Sequence, residues 1–175
     1  MNYRLPNYDD YELLKDYVTE HYSNHETSIS SSINLTNMDY KEWVDKINKN
    51  SSVPDEVWGK YYLYLVFDEN KLIGLLNIRF ELNEELTTKY GNIGYGVRPS
   101  ERRKGYATKM LKYAKEVCKE KGMKEIIVGC YEDNLGSNKV IINNGGKLIR
   151  KETEEKELSK YWKIELKSNF YKIEL

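Results

Sequence analysis

Gly94-Tyr95-Gly96-Val97-Arg98-Pro99-Ser100-Glu101-Arg102-Arg103-Lys104-Gly105-Tyr106-Ala107 is the stretch whose reading decides the fold. Its first residues, with Ile93, read as a strand that ends at Val97. Two glycines inside a strand point to a bulge, or to close approach by a ligand or another backbone. Beyond Tyr106 the period changes. Ala107, Met110, Leu111, Ala114, Val117 and Cys118 fall at i, i+3, i+4, i+7, i+10 and i+11, one apolar helical face that stops at Gly122. A helix start leaves about four amide N–H groups unpaired and carries partial positive charge. A junction that also holds Arg102, Arg103 and Lys104 therefore suits an anion such as a diphosphate. Gly105 lets the backbone come close to phosphate oxygens, and Ala107 keeps the next turn slim. The same residues also fit an exposed basic turn capping a helix, and on their own they leave both readings open.

Working outward, Glu125 to Cys130 reads as a strand buried on both faces, with Ile126, Ile127 and Val128 in succession. A short helix follows from Asn134 to Asn144, stopped by Gly145-Gly146. Strand, helix and buried strand in sequence predict a parallel crossover within a mixed sheet. Leu148 to Glu155 and Leu158 to Leu166 read as two closing strands. The last residues, 167–175, echo Tyr161-Trp162-Lys163-Ile164-Glu165-Leu166 as Phe170-Tyr171-Lys172-Ile173-Glu174-Leu175. They are either an extra edge strand or a duplicated tail. Upstream, Tyr61 to Phe67 and Leu72 to Phe80 flank Asp68-Glu69-Asn70 and predict an antiparallel hairpin. Glu81 to Tyr90 reads as a surface loop, and Ser23 to Asn37 as another. Leu13, Leu14, Tyr17 and Val18 follow Asp9 and Asp10 at helical spacing. Trp43, Val44 and Ile47 make a second helix, with Asp39 placed to cap it.

The length of 175 residues predicts one domain, 1–166, with 167–175 as its appendage. Lys+Arg and Asp+Glu number 28 each, and no basic arm stands out, so the chain lacks the electrostatic footprint of a nucleic-acid binder. Cys118 and Cys130 sit in apolar runs and read as reduced core thiols. No charged segment leads into an apolar one at the start, and no apolar run approaches about 18 residues. A cytoplasmic protein without a membrane span is expected. His21 and His25 lie four apart but lack a third ligand, so they read as a solvated helix end and no metal is expected.

Arg102-x-x-Gly105-x-Ala107 resembles the Q/R-x-x-G-x-G/A signature of the GNAT family of N-acetyltransferases. Val97-Arg98-Pro99 precedes it, and Asn134-x-x-Ser137 followed by Asn144-Gly145-Gly146 resembles the family's next block. The resemblance is strong over Ile93 to Leu148 and weak before residue 55. It implies an α/β fold: a central mixed, twisted sheet of six to seven strands flanked by helices, with a splayed pair of parallel strands. In that family the pantetheine arm of acetyl-CoA lies between the splayed strands. Tyr95 and Val97 correspond to the strand edge that binds it. The backbone at Arg103, Lys104, Gly105, Tyr106 and Ala107, with Thr108 and the charge of Arg102, corresponds to the pyrophosphate site. Asn134 matches the side chain that meets the pantetheine or thioester, and Ser137 and Asn138 fall near the cofactor.

The implied activity is transfer of the acetyl group of acetyl-CoA to a primary amine of a small molecule or protein, by direct attack in a ternary complex. The partners expected are acetyl-CoA and that amine, with the enzyme a monomer or homodimer. A lysine-like amine has a free pKa of about 10.4 and must lose a proton to attack. The carbonyl oxygen needs a fixed donor, such as an amide between Tyr95 and Val97. The departing thiolate benefits from an acid. The family's usual base position is Asn92 here and its usual acid position is Ile141, and neither can serve. Tyr131 is the candidate acid, and Glu81 or Glu132 can relay a proton. Glu81, Glu84 and Glu85 are placed to attract a cationic acceptor. A CoA-binding regulatory module without turnover is the alternative that Asn92 and Ile141 leave open. No G-x-x-x-x-G-K-[ST] occurs, which argues against a nucleotide-phosphate site.

Overall fold

The computed structural model describes all 175 residues. Seven strands and five helices alternate along the chain. Strands β1 (Asn2–Arg4), β2 (Tyr61–Asp68), β3 (Lys71–Arg79) and β4 (Ile93–Val97) form one sheet in that order. Strands β5 (Glu125–Tyr131), β6 (Lys147–Ser159) and β7 (Trp162–Glu174) form a second sheet, ordered β5-β7-β6. Helices α1 (Tyr11–Ser23) and α2 (Tyr40–Asn50) cover one face of the first sheet, and α4 (Tyr106–Glu120) the other. Helix α3 (Glu84–Tyr90) precedes β4, and α5 (Leu135–Asn143) follows β5.

The β2–β3 hairpin is apolar along its whole length because both of its faces are buried. Leu63, Leu65, Phe67, Leu72 and Leu75 pack with Trp43 and Ile47, while Val66, Ile73, Leu76 and Ile78 pack with Met110 and Ala114. Asp39 caps α2 as its position predicts, accepting from the amides of Lys41 and Glu42. The segment 81–90, expected to be loop, contains α3, started by Asn83, whose side chain accepts from the Leu86 amide. Strand β5 alternates instead of burying both faces: Ile126 and Val128 are buried, and Ile127 is half-buried.

Two expectations about the sheet need correction. Every registered strand pair is antiparallel, and β4 and β5 share no ladder. They meet at Asn92 instead. Its amide donates to the Ile127 carbonyl at 2.7 Å, and its side-chain Oδ1 accepts from the Ile127 amide at 2.8 Å. A side-chain amide thus completes the bond pair that a continuing strand would supply, and the hydrogen bonding stops there, although Ile93 and Val97 still pack with Ile126 and Val128 in the core. The second correction concerns residues 167–174. They are neither a tail nor an edge strand but half of β7, flanked on both sides by β5 and β6. Of the two echoing segments, Phe170, Tyr171 and Ile173 are buried, whereas Tyr161 and Trp162 are 81% and 72% exposed. Strand β5 reaches only as far as Ser168, so the first copy projects beyond it as a two-stranded arm.

Strand β4 contains no bulge against β3. Its glycines answer a close approach instead. A Cβ on Gly94 would lie 2.7 Å from Ser31 Oγ, and one on Gly96 would lie 2.9 Å from the Ser30 carbonyl oxygen. The segment after α1 lies directly on this strand.

Candidate active site

A groove of ≈ 2370 Å³ runs from the start of α4, between β4 and β5, to the segment after α1. Sites for single drug-sized ligands are about 300–1,000 Å³, so it has room for a long carrier and a second reactant. Tyr95 and Val97 line one wall, and Gly129, Cys130 and Tyr131 line the other.

Strand β4 offers this groove a free edge. The Arg98 amide donates to the Ile73 carbonyl, and the Arg79 amide donates to the Asn92 carbonyl, so the even-numbered residues of β4 face β3. Alternation turns the amides of Tyr95 and Val97 the other way, where no strand receives them.

The groove ends at the start of α4. Here Arg103 adopts φ 64° and Gly105 φ 83°, both left-handed. Left-handed residues alternating in this way with an ordinary one, Lys104, turn successive amides inward as a concave anion cradle. No amide from Arg103 to Thr108 donates a backbone hydrogen bond. A Cβ on Gly105 would meet nothing within 4 Å, so the space over it is open. The charges expected to surround this spot are mostly committed elsewhere. Arg102 grips Glu26 with both terminal nitrogens, at 2.5 and 3.0 Å, and its Nε donates to the Val97 carbonyl. Lys104 pairs with Glu101 at 2.9 Å. Only Arg103 makes no ion pair. The Tyr106 hydroxyl donates to Asp68, which leaves its backbone as its contribution to the cradle.

At the first turn of α5, Asn134 Oδ1 accepts from the Ser137 amide, and its Nδ2 has no partner within the protein. The Tyr95 hydroxyl lies 2.8 Å from Ser137 Oγ, deep in the groove. Burial pushes this phenol up to about 12, and burial also pushes the Cys130 thiol up. Asn138, expected beside the cofactor, is buried and turned away. Its Nδ2 donates to the carbonyls of Tyr131, Glu132 and Asn134, and its Oδ1 accepts from Asn169 and Tyr171. It ties β7 to α5 and has no bonding capacity left for a ligand.

Tyr131 lies on the groove's wall, more than half exposed. Glu81 does not line the groove, and its backbone packs against Gly59. Strand β3 ends at Arg79, before Glu81. Glu84 and Glu85 reach the rim through α3. Glu132 is paired with Lys151 at 2.6 Å. Ile141 is fully buried in the core, and Asn92 is the joint between the sheets. His21 is buried too, not solvated, with Nδ1 2.7 Å from Glu26 Oε2. No group of three or more His, Cys, Asp or Glu is arranged to hold a metal.

Arg102 and His21 converge on Glu26, and the Arg102 contact leads in holding this carboxyl down at about 2. A group lowered on folding stabilises above its unfolded pKa of about 4.3, and that contribution fades as pH falls through the folded value. Thermal melts should therefore lose stability between pH 5 and pH 2, and Glu26→Gln should give a flatter profile there. Equal slopes for both proteins would refute this role.

The sequence model of the acetyltransferase (GNAT) family matches residues 18–141. The chain belongs to this family. Its members are acetyltransferases, and this chain is an acetyltransferase by that membership. Comparison with curated proteins finds no match. Solved structures with the same fold include the putative acetyltransferase yncA from Salmonella typhimurium with its cofactor acetyl-CoA, at 13% identity and TM-score 0.69, covering 99% of this chain and 93% of that one. The ribosomal-protein-alanine N-acetyltransferase from Brucella melitensis matches at 16% identity and TM-score 0.68, with 100% of both chains covered. The microcin C7 self-immunity acetyltransferase MccE, in complex with acetyl-CoA and AMP, matches at 17% identity and TM-score 0.73, covering 99% and 91%. At these identities the likeness is one of fold. No helix in this GNAT acetyltransferase is long and apolar enough to cross a membrane.

Proposed function

We propose that this acetyltransferase binds acetyl-CoA along the groove and passes the acetyl group to an amine by direct attack in a ternary complex. The observation that carries the reading is the row of unbonded amides from Arg103 to Thr108, lying at the end of a groove walled by the free edge of β4. Those amides and the helix dipole would take the pyrophosphate. The pantetheine arm would pair with Tyr95 and Val97 as an added strand between the splayed β4 and β5. Asn134 Nδ2, which has no partner, would donate to the pantetheine or the thioester carbonyl. An amide of β4 would take up the charge that develops on the carbonyl oxygen in the transition state.

The departing thiolate needs a proton. Four tyrosines line the groove; Tyr106 gives its hydroxyl to Asp68 and Tyr90 packs on Trp58, which leaves Tyr95 and Tyr131. The interior one, held by Ser137, is our assignment for the donor. A phenol raised to about 12 stays protonated at neutral pH, and Ser137 fixes its direction.

Calorimetry with acetyl-CoA and thiol release with a panel of amines test the reading. Acetyl-CoA should bind, and at least one amine should give saturable turnover. Tyr95→Phe should lower kcat about 100-fold, the low end for a positioned acid, and leave acetyl-CoA binding intact. Binding without turnover of any amine would mark the chain as a CoA-binding regulator. A wild-type kcat in Tyr95→Phe would remove Tyr95 from the chemistry.

A further inference from the structure

Arg79 is the last residue of β3, on the face that carries α1 and α2, and its side chain lines the groove beside the segment after α1. It has no partner. No carboxylate forms an ion pair with it, its side chain donates no hydrogen bond, and Nε is buried without an acceptor. Burial, with no opposing charge beside it, lowers its pKa to about 10, so the guanidinium is still charged at neutral pH. The nearby groove carboxylate Glu26 is held by Arg102 and His21, and none of the rim carboxylates of α3 and β6 pairs with Arg79. A buried charge without a counter-ion is costly, and each such group in a folded protein calls for an explanation.

The surroundings supply one. Arg79 Nη2 lies 3.3 Å, and Ser31 Oγ 2.7 Å, from the point where a Cβ on Gly94 would sit. A guanidinium nitrogen and a hydroxyl therefore lie side by side over Gly94, in the place a side chain would take. Both residues line the groove. A guanidinium fork of this kind matches a carboxylate bidentately. The phosphate cradle lies beyond the other end of β4. Gly94 and Val97 alone are about 10 Å apart at the rise of a strand. An anion held by Arg79 at the Gly94 end of β4 is therefore not a phosphate of the carrier.

We propose that the acceptor is a small amine that carries a carboxylate, bound from the groove by Arg79 and Ser31. This rests on the acetyl-transfer reading above. The carboxylate neutralises Arg79, and the amine points along the groove towards the thioester. The rim carboxylates Glu84 and Glu85 then face an acceptor whose net charge is near zero, in place of the purely cationic one that the sequence suggests.

The test uses the intact protein and acetyl-CoA, with the common L-α-amino acids, β-alanine and 4-aminobutyrate. Each is compared with its carboxamide, and O-phosphoethanolamine is added as a phosphate-bearing amine. A carboxylate-bearing amine should exceed its carboxamide in kcat/KM by about 30-fold, the scale for leaving a buried charge unpaired. Arg79→Gln should abolish that preference and leave the KM for acetyl-CoA unchanged. The wild-type pairs decide the matter even if this variant does not fold. Equal turnover of acid and amide, preference for the phosphate, or no turnover of any carboxylate-bearing amine by a protein that binds acetyl-CoA overturns the proposal. Failure to bind acetyl-CoA overturns the acetyl-transfer reading instead.

Discussion

Gly105→Val is expected to weaken acetyl-CoA binding about 1000-fold while the protein still folds. Two effects add. A residue with a side chain at the left-handed φ of 83° costs about 1–2 kcal/mol, and a β-branched one sits at the upper end. Relief of that strain would swing the amides of the cradle away from the phosphates, and charge-assisted hydrogen bonds are worth about 1.5–3 kcal/mol each. Loss of two such bonds totals about 4 kcal/mol, or about three powers of ten in Kd. The new side chain also projects into the open space over Gly105, where the pyrophosphate would lie. Gly122, at the other end of α4, is the control. Its φ is 78° and its surroundings are equally open, but it does not line the groove. Gly122→Val should lower the melting temperature as much as Gly105→Val and leave the calorimetric Kd unchanged. Equal Kd values for the wild type and Gly105→Val would mean that the carrier's phosphates bind elsewhere.

Asn92→Ala should cost about 3 kcal/mol of stability, and it should loosen the groove. Asn92 is buried, and two backbone and two side-chain hydrogen bonds reach across elements: first its amide to the Ile127 carbonyl and its carbonyl from the Arg79 amide, then Oδ1 from the Ile127 amide and Nδ2 to the Arg79 carbonyl. Alanine keeps the backbone pair and strands the Ile127 amide and the Arg79 carbonyl in the interior. An unsatisfied buried group costs about 1–3 kcal/mol. For a chain of this size the melting temperature should fall by about 6–12 °C. The same substitution frees the base of the groove, because β4 and β5 have no ladder to hold them. Hydrogen exchange at the Ile127 amide should accelerate with the loss of its partner. A melting temperature within a degree of the wild type would contradict the view of Asn92 as the joint of the two sheets.

Periodicity carries its information in local order, and the elements with a local signal were legible. The apolar face from Ala107 to Cys118 gives α4, Asp39 gives the start of α2, and the turn at Asp68-Glu69-Asn70 gives the β2–β3 hairpin. Elements without one were not. The turn between β6 and β7 consists of Lys160 and Tyr161, which carry no turn chemistry, so the two strands were given the wrong ends. Strand β1 is three residues long, too short for a period to emerge. Helix α3 is seven residues long with Leu86 as its one aliphatic residue, and no buried residue marks its inner face.

For the site, the basic turn pointed to the right place but for the wrong charges. Arg102 and Lys104 are engaged by Glu26 and Glu101, partners far in sequence or hidden by the turn's geometry, and the cradle is left to backbone amides. Asn138 shares its helix turn with Ser137, yet one faces β7 and the other faces Tyr95. Arg79 had a signal that could have been read, a lone charge at the end of the apolar run from Leu72 to Ile78.

Local chemistry alone therefore determined the strand-to-helix junction at Gly105, because the left-handed turn, the helix start and the apolar face are all encoded within neighbouring residues. Which charges remain free, where β7 lies in its sheet, and that hydrogen bonds join β4 and β5 only through Asn92 were decided by tertiary structure. Each depends on pairings between residues tens of positions apart, Arg102 with Glu26 and Ile127 with Asn92 among them, and no window along the chain contains both partners.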